Sequence, residues 1–544
     1  MSSLTSFPAH RLVAMLESME ISSAELVRAH LDRIDRYDGA IRAFTKVYAD
    51  QAMAQAHVVD DARMRGLAVG RLAGLPVSIK ECLDVAGEPT TLGVPRKGRA
   101  PARADAALVT LLKAEGAVIL GRTNVSQLML FNESSNPLFG RTSHPMSLAH
   151  TPGGSSGGEA AAIGAGMSPL GIGTDIGGSI RVPAAFCGIV GLKPSLDRWP
   201  MQGIASGIPG QELVRGMAGP MARTVRDLIL AMQAFEPAQV AGFDGRSPPL
   251  PWPEPDPIDV RELRVGFYVD DGFVRPSASV ERALRTAAKA LEAQGVRVVE
   301  FRPPELGRAI GMYFAALSAD GAQTMERGTA GGPIEKSLRG LKAIAQLPAA
   351  VRGGLSTAAG LVGEDLLQTL LDNLGEKSVA DLWALTSAMR AYRASFLEAM
   401  REARVDALLT VPYATPPLPH GMSQNFVLAG SPAMLFNLLQ LPACIVPVGT
   451  VRAGETSRSP VLGLIDRHAE KVDRKSAGLP LAVQIAGRPW DEATVLALAL
   501  ALEEAVARDP EHPRLPLEGP IGTLRASDDE ADDTGDSRDA TAGL

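Results

Sequence analysis

Two glycine-flanked serines and one lysine at the end of an apolar run are the residues whose types and spacing could do chemistry here. Ser155 lies in Gly153-Gly154-Ser155-Ser156-Gly157-Gly158, and Ser179 lies in Asp175-Ile176-Gly177-Gly178-Ser179. Between them, Glu159 to Gly166 is a small-residue run that can pack tightly as a helix, and Pro169 to Gly173 reads as a short buried strand. Both serines therefore fall on loops at the ends of regular elements. There glycine permits sharp turns and leaves bare N–H groups to face a ligand. A flexible linker would be poor in apolar residues, whereas this stretch is interleaved with Ala, Ile, Leu and Val.

Gly153 to Gly157 also satisfies the G-x-S-x-G pattern of a nucleophile elbow. That motif needs an apolar strand before it, and the lead-in here is His150-Thr151-Pro152. No downstream Asp and His stand out as partners, so the α/β-hydrolase reading is set aside. A serine without a histidine can be activated by a lysine whose amine is neutral, which requires its ordinary pKa of about 10.4 to be lowered a long way. Lys80 closes the run Leu72-Ala-Gly-Leu-Pro-Val-Ser-Ile-Lys80, in which Val77-Ser78-Ile79 reads as a strand. A lysine at a strand end is commonly a solvated charge. This one follows buried-looking residues and precedes Glu81-Cys82-Leu83-Asp84, so both readings stay open on spacing alone.

Taken together, G-L-P-V-S-I-K ending at Lys80, GGSSGG around Ser155 and DIGGS ending at Ser179 resemble the signature of the amidase signature family of serine hydrolases. The fatty acid amide hydrolase branch is the nearer likeness. It rests on SNPLFGRT (135–142), PGGSSGGE (152–159), SPLGIGTDIGGSIR (168–181) and FCGIVGLKP (186–194), and the likeness extends from about Ala24 to about Leu500.

The resemblance implies roles position by position. Ser179 is the expected nucleophile. Ser155, after a cis peptide at Gly154, is the expected proton bridge, and Lys80 the expected base. The N–H groups of Ile176, Gly177, Gly178 and Ser179 would form an oxyanion hole, where preformed donors act on charge that develops in the tetrahedral intermediate. Met129, Leu130, Gly154 and Thr174 are expected at the substrate, with simple core packing the competing reading for Met129 and Leu130. Asn132 and Glu133 could add polarity nearby, and Asp175 and Arg181 are expected to pair and brace the loop. The implied reaction is hydrolysis of the C–N bond of acyl amides with apolar acyl or aryl groups, through an acyl-enzyme. Carbamates (urethanes) or esters are the alternative for the same three residues. A glutamine-hydrolysing amidotransferase subunit is a further alternative, disfavoured by the long helical insertion.

The expected fold is α/β: the amidase signature fold, a central twisted, mixed, mostly parallel sheet with helices on both faces and a helical cap insertion. Alternation of strand and helix patterns supports a sheet of this kind, as in Asp105 to Glu115 (helix) followed by Ala117 to Gly121 (strand). The 544 residues divide into a helical region (1–67), a catalytic core (68–304), a helical cap or lid (305–403), the returning core (404–524) and an acidic tail (525–544) too polar to bury a core. The proline-rich loop 412–422 is expected to face the site, the resemblance implies a closing helix over Asn425 to Gln440, and the polar insert Gly454 to Ser476 is expected to be a surface hairpin tip.

A net charge of −7 supplies no basic patch for nucleic acid. Three scattered cysteines and eight unclustered histidines point to a reducing compartment and to no metal or cofactor. No run of ~18 apolar residues and no signal segment stand out, so a cytoplasmic enzyme is expected. The insertion is broken by Gly353, Gly354, Gly360, Glu364 and Asp365, which favours a lid over peripheral membrane contact. The expected partner is a small-molecule amide, with a homodimer as a candidate assembly.

Overall fold

The computed structural model describes residues 4–508 other than 97–98, 253, 330, 362–364 and 462, together with Leu515. The acidic tail lies outside the described residues.

In chain order the strands are β1 (Phe44–Val47), β2 (Pro76–Lys80), β3 (Val118–Thr123), β4 (Ser135–Asn136), β5 (Gly140–Arg141), β6 (Leu170–Asp175), β7 (Val190–Lys193), β8 (Met217–Ala222), β9 (Arg264–Phe267), β10 (Arg297–Glu300), β11 (Ala407–Thr410), β12 (Ala443–Thr450) and β13 (Pro480–Gly487). Strands β4 and β5 form a small separate ribbon. The other eleven form one mixed sheet in the order β1-β3-β2-β6-β8-β7-β12-β13-β11-β9-β10. Parallel pairing gathers in two blocks, β3-β2-β6 and β11-β9-β10, and the ladder between them is antiparallel. The strand–helix alternation overstates the parallel share for a topological reason. Strand β8 arrives later in the chain and inserts between β6 and β7, antiparallel to both.

Period-two alternation sends successive side chains of the central strands into opposite layers. Cys444, Val446 and Val448 join one apolar cluster together with Leu228, Leu284 and Leu498. Those three come from the helices Val225–Gln233, Ala278–Ala293 and Glu492–Val506. The intervening Ala443 and Ile445 pack instead with residues of the helix Arg181–Cys187: Ala443 shares a cluster with Val182 and Phe186, Ile445 with Ala184 and Ala185. Helices thus cover both faces.

Three elements differ from the sequence reading. Phe44–Val47, inside the segment read as helical, is extended and adds the edge strand β1, because its partner β3 lies far downstream. The helix read over Asn425 to Gln440 begins only at Ser431, with Pro432 in its first turn, after two short 3-10 turns. Residues within Gly454 to Ser476 form the helix Gly463–Arg474 rather than a hairpin tip. That helix buries Ala469 and Val472. It is anchored by Arg458, which reaches Asp466 at 3.2 Å and Asp473 at 3.1 Å.

Among the described residues of 305–403, regular structure is entirely helical. No described helix is long and apolar enough to cross a membrane.

Candidate active site

Strands β2 and β6 are parallel neighbours with Val77 opposite Leu170 and Ile79 opposite Ile172. Their carboxyl ends therefore deliver Lys80 and Thr174 side by side, at the edge where open α/β sheets present ligands. Lys80 is fully buried, and its Nζ has three oxygen neighbours: Ser155 Oγ at 2.7 Å, Thr174 Oγ1 at 2.8 Å and the Thr174 carbonyl at 3.3 Å. An ammonium would donate to all three. A neutral amine would donate twice to Thr174 and offer its lone pair to the Ser155 hydroxyl. Burial lowers the amine from 10.5 to about 8, against an upward pull from Cys82, Asp175, Glu159 and Glu81. Glu159, buried nearby, accepts from Ser78 Oγ at 2.6 Å and Thr123 Oγ1 at 2.8 Å. Burial pushes its carboxyl up to about 8 despite those bonds.

The Ser155 loop carries a cis peptide at Gly154–Ser155, as the resemblance implied. A Cβ at position 154 would stand 2.5 Å from the Glu133 nitrogen and 2.7 Å from the Phe131 oxygen, so only glycine lets this loop approach the neighbouring chain. Ser134 Oγ donates to the Ser155 carbonyl at 3.3 Å and accepts from the Gly157 N–H at 2.9 Å. The Ser156 N–H donates to the Ser179 carbonyl at 3.1 Å, tying the two serine loops together.

The Ser179 loop is built around Asp175 and Arg181, both fully buried. Arg181 grips the carboxylate with two bonds of 3.0 Å, and two further donors go to Gln484 Oε1 at 3.0 Å and Asn437 Oδ1 at 2.6 Å. Burial alone would raise the Asp175 carboxyl, but the charge and hydrogen bonds of Arg181 outweigh it and hold the group well below the usual range. Asp175 Oδ1 also accepts the Gly178 N–H at 2.8 Å. The resemblance put this N–H among four oxyanion donors; here it is directed to Asp175, inside the loop. Among the described residues, the N–H groups of Ile176, Gly177 and Ser179 have no acceptor.

Ser179 stands where two cavities meet. One, of about 80 Å³, is lined by Ser155, Thr174, Met129, Leu130, Met201 and Ile208 among others. The second, of about 90 Å³, is more apolar and is lined by Phe131, Tyr313, Phe314, Leu317, Leu341, Val427 and Met434, with Asn132 a polar member. Met129 and Leu130 line both. Gly154 lines neither and packs against the 131–133 backbone instead. Glu133 accepts from the Gly421 N–H at 2.8 Å and Ser423 Oγ at 3.0 Å, joining the proline-rich loop to this wall. Among the described residues, no three His, Cys, Asp or Glu side chains gather as a metal site.

Sequence reading missed Asn437, Gln484 and Tyr313. All three lie more than 130 positions from the loop they touch, and none sits in a glycine-rich motif, so no local signal marked them.

With the fold and these loops described, the class is defined: residues 25–496 match the family model described as "Amidase", and the chain belongs to the amidase signature family of amide hydrolases. It is 35% identical over 513 residues to fatty-acid amide hydrolase 1 of Sus scrofa, an alignment covering 93% of this chain and 86% of the other. It is 32% identical over 522 residues to amidase 1 of Gibberella moniliformis, covering 91% of this chain and 92% of the other. A solved structure of a fatty acid amide hydrolase superposes with a TM-score of 0.82 at 26% identity, covering 93% of this chain and 86% of that one.

Proposed function

We propose that this chain hydrolyses acyl amides whose acyl group is apolar, through an acyl-enzyme on Ser179. The observation that carries the reading is the buried Lys80 amine 2.7 Å from Ser155 Oγ, with Ser155 and Ser179 lining one cavity. In this mechanism neutral Lys80 takes a proton from Ser155 as Ser155 takes one from Ser179. Ser179 Oγ attacks the carbonyl carbon, and the oxygen that becomes negative is met by the N–H groups of Ile176, Gly177 and Ser179. Collapse breaks the C–N bond, and the proton returns from Lys80 through Ser155 to the leaving nitrogen. Water then attacks the ester, protons travel the same relay, and the carboxylic acid leaves with Ser179 restored.

The apolar lining of the second cavity, including Phe314, Leu317 and Met434, supports the acyl assignment. Free glutamine, the substrate expected of an amidotransferase, would leave its charged groups against those side chains. The test is a substrate panel of amides of graded acyl length, anilides, matched carbamates and esters, and glutamine. It is paired with peptide mapping of a fluorophosphonate adduct. Amide turnover with the adduct on Ser179 supports the reading. Faster carbamate or ester turnover redirects the substrate class, and an adduct on another residue refutes the mechanism.

A further inference from the structure

The helix Leu306–Leu317, which belongs to the helical insertion, hydrogen-bonds to the Ser179 loop through Tyr313. Tyr313 is 3% exposed, and its hydroxyl donates to the Ile176 carbonyl at 3.2 Å. That carbonyl and the Gly177 N–H are opposite ends of a single planar peptide unit. Fixing the oxygen on one side fixes the direction of the N–H on the other, and a hydrogen bond to the oxygen polarises the N–H as well. The phenol also sits close over the loop: a Cβ on Gly177 would come within 2.2 Å of its oxygen.

We infer that Tyr313 is a positioning residue for the oxyanion hole, holding the Ile176–Gly177 peptide so that the Gly177 N–H faces the developing negative charge. This rests on the Ser179 mechanism proposed above. Two observations strengthen it. The Gly178 N–H is committed to Asp175, so the hole depends on fewer donors and each one's aim counts for more. Burial, with Asp175 adding to it, raises the phenol's pKa above its ordinary value, so the hydroxyl keeps its proton and stays a donor. Tyr313 also lines the apolar cavity, so the ring that packs beside the acyl group carries the hydroxyl that sets the peptide.

The test compares the wild type with Tyr313→Phe, which keeps the ring and removes the hydroxyl. Expected is a fall in kcat of about 10- to 100-fold, less than the loss of a direct donor, with KM within about twofold. The inhibition constant of a trifluoromethyl ketone, which forms a tetrahedral adduct with Ser179, should rise by the same factor as kcat falls. Incorporation of 3-fluorotyrosine at position 313, a stronger donor of nearly the same shape, should keep kcat at or above the wild-type value. That variant decides the matter if Tyr313→Phe proves unstable. Unchanged kcat, a loss confined to KM, or an equal loss with fluorotyrosine overturns the inference. Fluorophosphonate mapping separates the two levels. A wild type not labelled at Ser179 overturns the mechanism and this inference together, whereas a labelled wild type with unaffected Tyr313→Phe turnover overturns this inference alone.

Discussion

Lys80 Nζ lies 2.7 Å from Ser155 Oγ, inside protein rather than in water. The amine is thus held where its charged form is disfavoured. Burial has brought the amine to about 8, so its neutral fraction grows about tenfold per pH unit below that point. The expected pH profile of kcat/KM rises through pH 7 and levels above about 8. Lys80→Ala should lower the rate by about 10²- to 10⁴-fold and flatten that limb. A rising limb that survives in Lys80→Ala would assign it to another group.

The same shift affects stability, with a definite sign. The folded-state amine titrates near 8 and the unfolded one near 10.5, so between these values the unfolded chain binds more protons. The contribution of this residue therefore becomes more favourable as pH rises from 8 to 10.5, and its full penalty applies below 8. Lys80→Met removes the titration. Its stability relative to wild type should be greatest below pH 8 and fall by about 3 kcal/mol toward pH 10.5. Denaturant unfolding of both chains across this range measures the difference, and parallel curves would contradict the assignment.

Ser179→Ala should abolish turnover and fluorophosphonate labelling while leaving the circular dichroism spectrum intact. Ser155→Ala should slow acylation severely but leave more activity than Ser179→Ala, because the attacking oxygen and its oxyanion donors remain. Single-turnover kinetics would check the order; a Ser155→Ala enzyme slower than Ser179→Ala contradicts the relay.

Asp175→Asn should be felt first as a loss of stability. It leaves the guanidinium of Arg181, fully buried, without its counter-charge. Removing one partner of such a pair costs about 3–5 kcal/mol. A melting temperature within a degree or two of wild type would show that the pair is not needed for folding.

The glycine-rich loops and the elements beside them were legible because their constraints are local. Gly154 is needed where the chain approaches the 131–133 backbone, and Val77 to Ile79 lies in a short, mostly apolar run that suits a buried strand. The Asp175–Arg181 pair was legible for the same reason, at a separation of six positions. The helix Gly463–Arg474 was not, because its apolar stripe is narrow (Ile465, Ala469 and Val472 among charged residues) and its Asp466 and Asp473 are held by Arg458 from outside the helix. Tyr313 was equally silent, since nothing in LGRAIGMYFAAL marks which side chain will meet a loop 137 positions earlier.

The far partners of Arg181 carry a consequence for biosynthesis. The loop bearing Ser179 leaves the ribosome within the first third of the chain, but Asn437 and Gln484 belong to its last quarter. A polypeptide ending before Gln484 carries Lys80, Ser155 and Ser179 yet lacks one of the distant acceptors of that guanidinium. On the proposed mechanism, a chain truncated before Gln484 is expected to lack amide turnover, and a truncation series assayed on the same substrates checks this.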